Sequence, residues 1–279
     1  MQETAPIIYW LRQDLRLRDN PALLKAAHSD RPVVALYVHD TVTPGLRPMG
    51  SAQKWWLHHS LTEFQRDLAR LGGKLVIRNG EAVSAIENVV TETSAAAICW
   101  NRRYGHVEQA LDRMIKLRCK DNGLEATSHA ALLMHEPSQI QTGQGNPYKV
   151  YRPFWKAFNA GPPPRLPLEP PQSIASYSGE MPSLDIDQLK LRPTAPDWSG
   201  PLADIWMPGE KAAQEQLASF VDIDIDTYYS MRDLPGPDRT SRLSPHLRFG
   251  EISPYQLWHA SYQSNGSLDA GSRETWRKE

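Results

Sequence analysis

Cysteine is nearly missing from this chain of 279 residues: only Cys99 and Cys119 occur. Two thiols exclude a disulfide framework, fall short of a zinc site, and suit a reducing cytosol. No apolar run approaches the roughly eighteen residues that a membrane helix needs, and no secretory signal is seen. The expectation is a cytoplasmic protein with no membrane partner. An excess of one charge is missing too. Lysine plus arginine number 31 against 32 acidic residues, for a net charge of −1, so any nucleic-acid contact has to come from a local patch. The glycine-rich phosphate signatures are also absent. No Gly-x-Gly-x-x-Gly follows the first strand-like run, and no Gly-Lys-Ser/Thr of the P-loop type occurs. Gly143-Gln144-Gly145 fails because Tyr148 stands where the third glycine belongs. A nicotinamide dehydrogenase and a P-loop enzyme are thereby set aside.

What remains is an ordinary globular composition, 40% hydrophobic and 23% charged, with nine tryptophans and room for two domains. The first half alternates strand-like and helix-like segments. Ile7–Leu11, Val33–Val38, Leu75–Ile77, Ala96–Trp100 and Leu124–Thr127 read as strands. Between them, Asn20-Pro21 is an N-cap and first helical position, and Leu57, Leu61, Phe64, Leu68 and Leu71 recur at helical spacing until Gly72-Gly73. Ala82–Val90 and Val107–Arg118 read as further helices. Strands separated by helix-length segments predict a parallel sheet covered on both faces, with ligands beyond the carboxyl ends of its strands.

The second half changes character. Eleven of the 23 prolines fall between Gly161 and Glu210, which predicts an extended connection held down by Ile174, Tyr177, Leu184 and Trp198. A helix over about Lys211–Phe220 then groups Ala213, Leu217 and Phe220. After it comes the densest run of chemistry, Thr240-Ser241-Arg242-Leu243-Ser244-Pro245-His246-Leu247-Arg248-Phe249-Gly250. Ser244 reads as an N-cap, Pro245 as the first helical residue and Gly250 as the stop, with a second start at Ser253-Pro254. Free backbone N–H groups, the hydroxyls of Thr240, Ser241 and Ser244, and Arg242 together form an expected phosphate site. From Arg232 to Arg248 there are four arginines against Asp233 and Asp238, a local positive excess.

The string from Thr240 to Pro254 resembles the flavin-phosphate loop of the DNA photolyase and cryptochrome family. Trp10-Leu-Arg12-Gln-Asp14-Leu-Arg16 followed by Asp19-Asn20-Pro21-Ala-Leu23 resembles that family's opening signature. Met134-His135-Glu136-Pro137 and the stretch Tyr148 to Lys156 resemble its crossing from the sheet to the helical domain. Pro208-Gly209-Glu210 with Ala213 resembles the start of that domain. The likeness runs in order along nearly the whole chain and is nearest to class I dimer photolyases, stopping before the end of the FAD-binding domain.

The resemblance implies an α/β fold: an N-terminal Rossmann-like parallel sheet with helices on both faces, a Pro-rich linker, and the start of an all-helical FAD domain. The implied division is residues 1–130, 131–205 and 206–279. It implies deoxyribodipyrimidine photo-lyase chemistry, in which light-excited reduced FAD passes an electron to a pyrimidine dimer flipped out of UV-damaged DNA. FAD contacts carry over to Tyr228, Thr240, Ser241, Arg242, Leu243 and Ser244, with Trp276 and Glu279 at the pocket edge. Arg232 carries over to a DNA-facing position. An antenna, methenyltetrahydrofolate or 8-hydroxy-5-deazaflavin, maps to Asn101 and Glu108, although Val107 stands where folate-binding members keep asparagine. Catalytic residues are expected outside this chain, which is then inactive alone. A complementing C-terminal chain would complete the pocket; otherwise a monomer is expected. The alternatives are a cryptochrome-type photoreceptor and a stand-alone chromophore-binding α/β module. The arginines and aspartates of the first turn are expected to hold structure, and Tyr151, Phe154, Trp155 and Phe158 to bury against the sheet.

Overall fold

In the computed structural model, which describes residues 4–236, 238–262 and 270–278, five parallel strands form one sheet in the order β3-β2-β1-β4-β5. They are β1 (Ile7–Leu11), β2 (Val33–His39), β3 (Leu75–Asn79), β4 (Ala97–Asn101) and β5 (Glu125–His129). Four helices alternate with them: α1 (Pro21–Ala27), α2 (Ser51–Arg70), α3 (Ala82–Thr93) and α4 (His106–Asp121). The central strands are buried along their whole length, as parallel strands with helices on both faces must be. Alternate side chains serve opposite faces. Ile7, Tyr9 and Leu11 join Trp56, Leu57, Leu61 and Phe64 of α2, whereas Ile8 and Trp10 join Ile86 of α3 and Ile115 of α4. Each such fully buried large side chain contributes roughly 1.5–3 kcal/mol.

The proline-rich stretch is a strap on the sheet unit. Ile174 N donates to Leu71 O (2.7 Å), Val33 N to Ala175 O (2.7 Å) and Tyr177 N to Val33 O (3.0 Å). Leu184 N then donates to Ile77 O, and Ile77 N to Ser183 Oγ, which closes the outer edge of β3. Of the four expected anchors, Trp198 is a correction. It is 39% exposed, and Ile186, Leu189 and Leu191 anchor the strap in its place. A tryptophan between Asp197 and Ser199 has polar neighbours that keep its segment at the surface.

The helical part follows: α5 (Tyr151–Ala160), the single turn α6 (Gly200–Ala203), α7 (Glu210–Ile223), α8 (Tyr228–Met231), α9 (Ser244–Phe249), α10 (Pro254–Ala260) and α11 (Ala270–Lys278). A second correction concerns α5. Its aromatic side chains face the helical part, not the sheet: Trp155 and Phe158 meet Trp258 of α10 at 6.2 and 5.3 Å, and the Tyr151 hydroxyl donates to Lys278 O. Helical periodicity fixed which residues share a face, but not what that face meets.

The turn between β1 and α1 joins the two parts. Arg12 and Asp112 form a buried pair, Asp14 accepts from Tyr9 Oη, and Arg16 donates to the carbonyls of Asp19, Ala131 and Gly250. The Glu210 carboxylate at the start of α7 accepts from Leu17 N (2.6 Å) and Arg18 N (2.9 Å). Every charge of the first turn from Arg12 to Asp19 therefore has a structural partner inside the chain. Among the described residues no helix is long and apolar enough to cross a membrane, and no cluster of His, Cys, Asp or Glu could hold a metal.

Candidate functional site

Helix α9 begins one residue earlier than its sequence predicts. Leu243 is the N-cap, which puts Ser244 at the first helical position and Pro245 at the second. The cause lies just before it. Arg242 adopts a left-handed backbone conformation (φ 52°), which turns the chain before the helix and frees the Ser244 hydroxyl from capping duty. Gly250 closes the helix at φ 69°, as read, and Ser253 caps α10 by accepting from Gln256 N.

Three of the residues singled out in the sequence come together in one core. Tyr228, Leu243 and Trp276 pack with Ala213, Leu217, Phe220, Ile225 and Ile252. Phe220 is the centre, edge-on to Tyr228 at 5.8 Å and tilted against Trp276 at 5.1 Å. Burial pushes the Tyr228 phenol up from its ordinary value, with nearby Arg232 opposing, so it stays a neutral hydrogen-bonding group. On the loop that leads out of this core, Thr240 and Ser244 are exposed and Ser241 half-buried. None of their three hydroxyls makes a hydrogen bond among the described residues, so all are available as donors. Arg242 pairs with Asp238, and its guanidinium lies 5.5 Å from the centre of the Trp206 ring. Arg239 ties the loop to α7 through Asp224 at 2.6 Å. Arg232 lies 3.6 Å from Asp233. Glu279 falls outside the described residues.

The second region lies beyond the carboxyl ends of the strands, where the sheet order reverses between β1 and β4. This is the usual ligand position in an open parallel sheet. A cleft of about 150 Å³ opens there between Arg12, Gln13, Asp40, Arg47, Arg103, Glu108 and Arg248. Glu108 folds back over Gly105 at the start of α4 and shares this wall. Asn101 does not reach it. Its amide donates to Asp14 Oδ2 (2.5 Å) and Asn20 Oδ1 (2.7 Å), and its carbonyl accepts from Ala22 N (3.2 Å). With both ends committed and the residue 3% exposed, Asn101 is corrected to a structural brace of the first turn. Burial, with Arg12 nearby, pushes Arg103 down to about 10, while Asp112, Glu108 and Asp14 act against the shift. Arg103 Nε, His39 Nδ1 and Trp10 Nε1 are buried there without a hydrogen-bond partner among the described residues.

The sequence reading named Gly209 and Glu251 only as motif positions and gave Trp56 no role, although Trp56 Nε1 and Gly209 N both donate to the Glu251 carboxylate. Each was visible, but a single tryptophan, glycine or glutamate carries no local signal of a partner far along the chain.

An open parallel sheet, an edge-sealing strap and a helical cluster bearing a hydroxyl-rich loop define an α/β protein with a helical annex. The DNA photolyase family model matches residues 7–172, and the chain belongs to that family. It is 41% identical over 277 residues to a deoxyribodipyrimidine photo-lyase of Agrobacterium fabrum, a match to 99% of this chain and 57% of that protein. The crystal structure of a bacterial class III photolyase from Agrobacterium tumefaciens superposes with a TM-score of 0.94 at 40% identity, covering 100% of this chain and 57% of that one. A third relative, an uncharacterized 31.6 kDa protein of Synechococcus strain PCC 6716, is 32% identical over 98% of this chain and 96% of its own length. Other relatives are named cryptochromes. The chain thus spans little more than half of the photo-lyases it matches.

Proposed function

We propose that this chain is the part of a light-driven deoxyribodipyrimidine photo-lyase that carries the flavin-phosphate loop, with residues 1–130 as the chromophore domain, 131–205 as the linker and 206–279 as the first part of the FAD domain. The observation that carries the reading is the loop itself. Three uncommitted hydroxyls stand directly beside a core that gathers Tyr228, Leu243 and Trp276. The donor set suits a pyrophosphate: Thr240, Ser241 and Ser244 would donate to its oxygens, and Arg242 would add charge if it left Asp238. Tyr228 and Trp276 would pack against the rest of the cofactor, and Arg232 would face a DNA phosphate. FAD bound there would supply light absorption and one-electron transfer to a pyrimidine dimer in UV-damaged DNA. The chain's own residues would hold the phosphate end of the cofactor at the exposed side of the loop. Of the class labels, class III has the stronger support, because it belongs to the 40% identical structure; the class I expectation rested on short motifs. An antenna would sit in the cleft near Arg103 and Glu108. At about 150 Å³ the cleft is smaller than the roughly 300–1,000 Å³ of a drug-sized ligand site, so it would hold only part of a chromophore.

The test is blue-light repair of an oligonucleotide carrying one cyclobutane dimer. The chain alone is expected to leave the dimer intact. The chain joined to the part of the Agrobacterium fabrum relative that it does not match is expected to repair it in light and not in the dark. A joined protein that binds FAD and repairs nothing would move the reading to a photoreceptor.

A further inference from the structure

Glu251, 0% exposed, collects hydrogen bonds from three different elements. Trp56 Nε1 of α2 (3.0 Å) and the backbone N–H of Gly209, the cap of α7 (2.8 Å), both donate to Oε1. On the other oxygen, Oε2 lies 2.5 Å from Nδ1 of His246, in α9. A contact that short between an imidazole and a carboxylate holds a proton, so Nδ1 is the donor. Glu251 N donates back to His246 O (2.9 Å), and the His246 ring lies edge-on to Trp56 at 5.1 Å. The flanking glycines leave no slack. Gly209 has φ +116° with the Glu63 side chain where a Cβ would be, and at Gly250 (φ +69°) a Cβ would lie 1.9 Å from Gln13 O.

One carboxylate thus ties the sheet unit, the start of the helical part and the helix that follows the hydroxyl loop. His246 is the third residue of α9, directly after Ser244 and Pro245. We propose that Glu251 is the positioning residue of this loop: through His246 it fixes the first turn of α9, and so the direction of the Ser241 and Ser244 hydroxyls, against Trp56 of the sheet unit. The part of this inference that concerns phosphate rests on the flavin-phosphate reading above; the part that concerns loop order does not. A buried carboxylate acting only as structural glue would weaken the whole fold evenly. A positioning residue loosens the loop first, because the packing of Ala213, Leu217 and Phe220 against Tyr228, Ile225 and Trp276 does not run through it.

Glu251→Ala tests this, with Glu251→Gln as the conservative variant and Trp56→Phe as a milder cut on the sheet side. Amide hydrogen exchange needs no ligand. In Glu251→Ala the amides of residues 240–247 are expected to exchange about tenfold faster while those of Leu217–Phe220 keep their protection. Glu251→Gln should restore most of it, since its carbonyl still accepts from Trp56 and Gly209. If Glu251→Ala fails to fold, Trp56→Phe should show the same split at smaller size. The ¹⁵N spectrum of His246 should carry the proton on Nδ1 in the wild type and on Nε2 in Glu251→Gln. Titration with FAD and with inorganic pyrophosphate then separates the two ideas. Affinity lowered about tenfold in Glu251→Ala supports both. No binding by the wild type, even when it is joined to the remainder of its relative, sinks the phosphate reading alone. Loop exchange unchanged in a folded Glu251→Ala, or raised equally in loop and core, overturns the positioning role.

Discussion

Replacing Gly250 by alanine should separate the two parts of the molecule. The residue sits at φ 69°, and an added Cβ would lie 1.9 Å from Gln13 O, 2.4 Å from Gln13 C and 2.7 Å from Asp14 Cα. All three atoms are backbone of the buried turn after β1, so no side chain can swing aside. The left-handed conformation costs alanine about 1 kcal/mol. Relieving the clash requires α9 to back away from the turn. That breaks the Leu15 N to Phe249 O bond (3.2 Å) and the bond from Arg16 Nη1 to Gly250 O (2.9 Å). A neutral hydrogen bond is worth about 1 kcal/mol and one from a charged group about 2 kcal/mol, so the total is about 4 kcal/mol. For a chain of this size that lowers Tm by about 8–16 °C. Calorimetry of the variant beside Gly143→Ala, whose Cβ would meet nothing within 4 Å, measures it. Limited proteolysis should also cut the loosened helical part first. A Gly250→Ala protein that melts within about 2 °C of the wild type would refute the reasoning.

Asp112→Leu should cost about 3–5 kcal/mol in urea unfolding by stranding buried Arg12, and adding Arg12→Met should recover most of it; no recovery would mean that packing dominates. His39, His58, His59, His129 and His135 all have their pKa lowered, with burial the first cause. The unfolded chain therefore takes up protons near pH 6.5 that the folded chain refuses, and stability should fall from pH 7.5 to 5.5. Glu210, raised by burial, acts in the opposite sense; a Tm that rises on acidification would show that it wins. Burial pushes Cys99 up to about 12 and Cys119 up to about 11. Both thiols should alkylate about a hundredfold more slowly at pH 8 in the native protein than in urea, and equal rates would contradict their burial.

The sheet was legible because its strands are unbroken apolar runs between helical repeats. Its edges were less so. β3 runs on to Arg78 and Asn79, polar residues that pair with Val38 and His39 through backbone alone. In the second half, α7, α9 and α10 were found by caps and by Ala213, Leu217 and Phe220, whereas the single turns α6 and α8 were not, and the face that α5 presents depends on Trp258, a hundred residues away in sequence. The hydroxyl loop stood out as chemistry, whereas its register turned on the left-handed Arg242, which no residue preference announces. Asn101 shows the converse. A carry-over by motif made it a ligand contact, but Asp14, Asn20 and Ala22 had already used its side chain.

The account's central claim is that the loop from Thr240 to Ser244 binds the phosphate end of a flavin. Equilibrium titration of the purified chain with FAD, followed in the oxidised flavin band near ~450 nm, tests it most directly when run beside a variant with Thr240, Ser241 and Ser244 all changed to alanine. The account predicts saturable binding by the wild type that the variant loses. Equal binding by both proteins, or none by the wild type even when it is joined to the remainder of its relative, would contradict it.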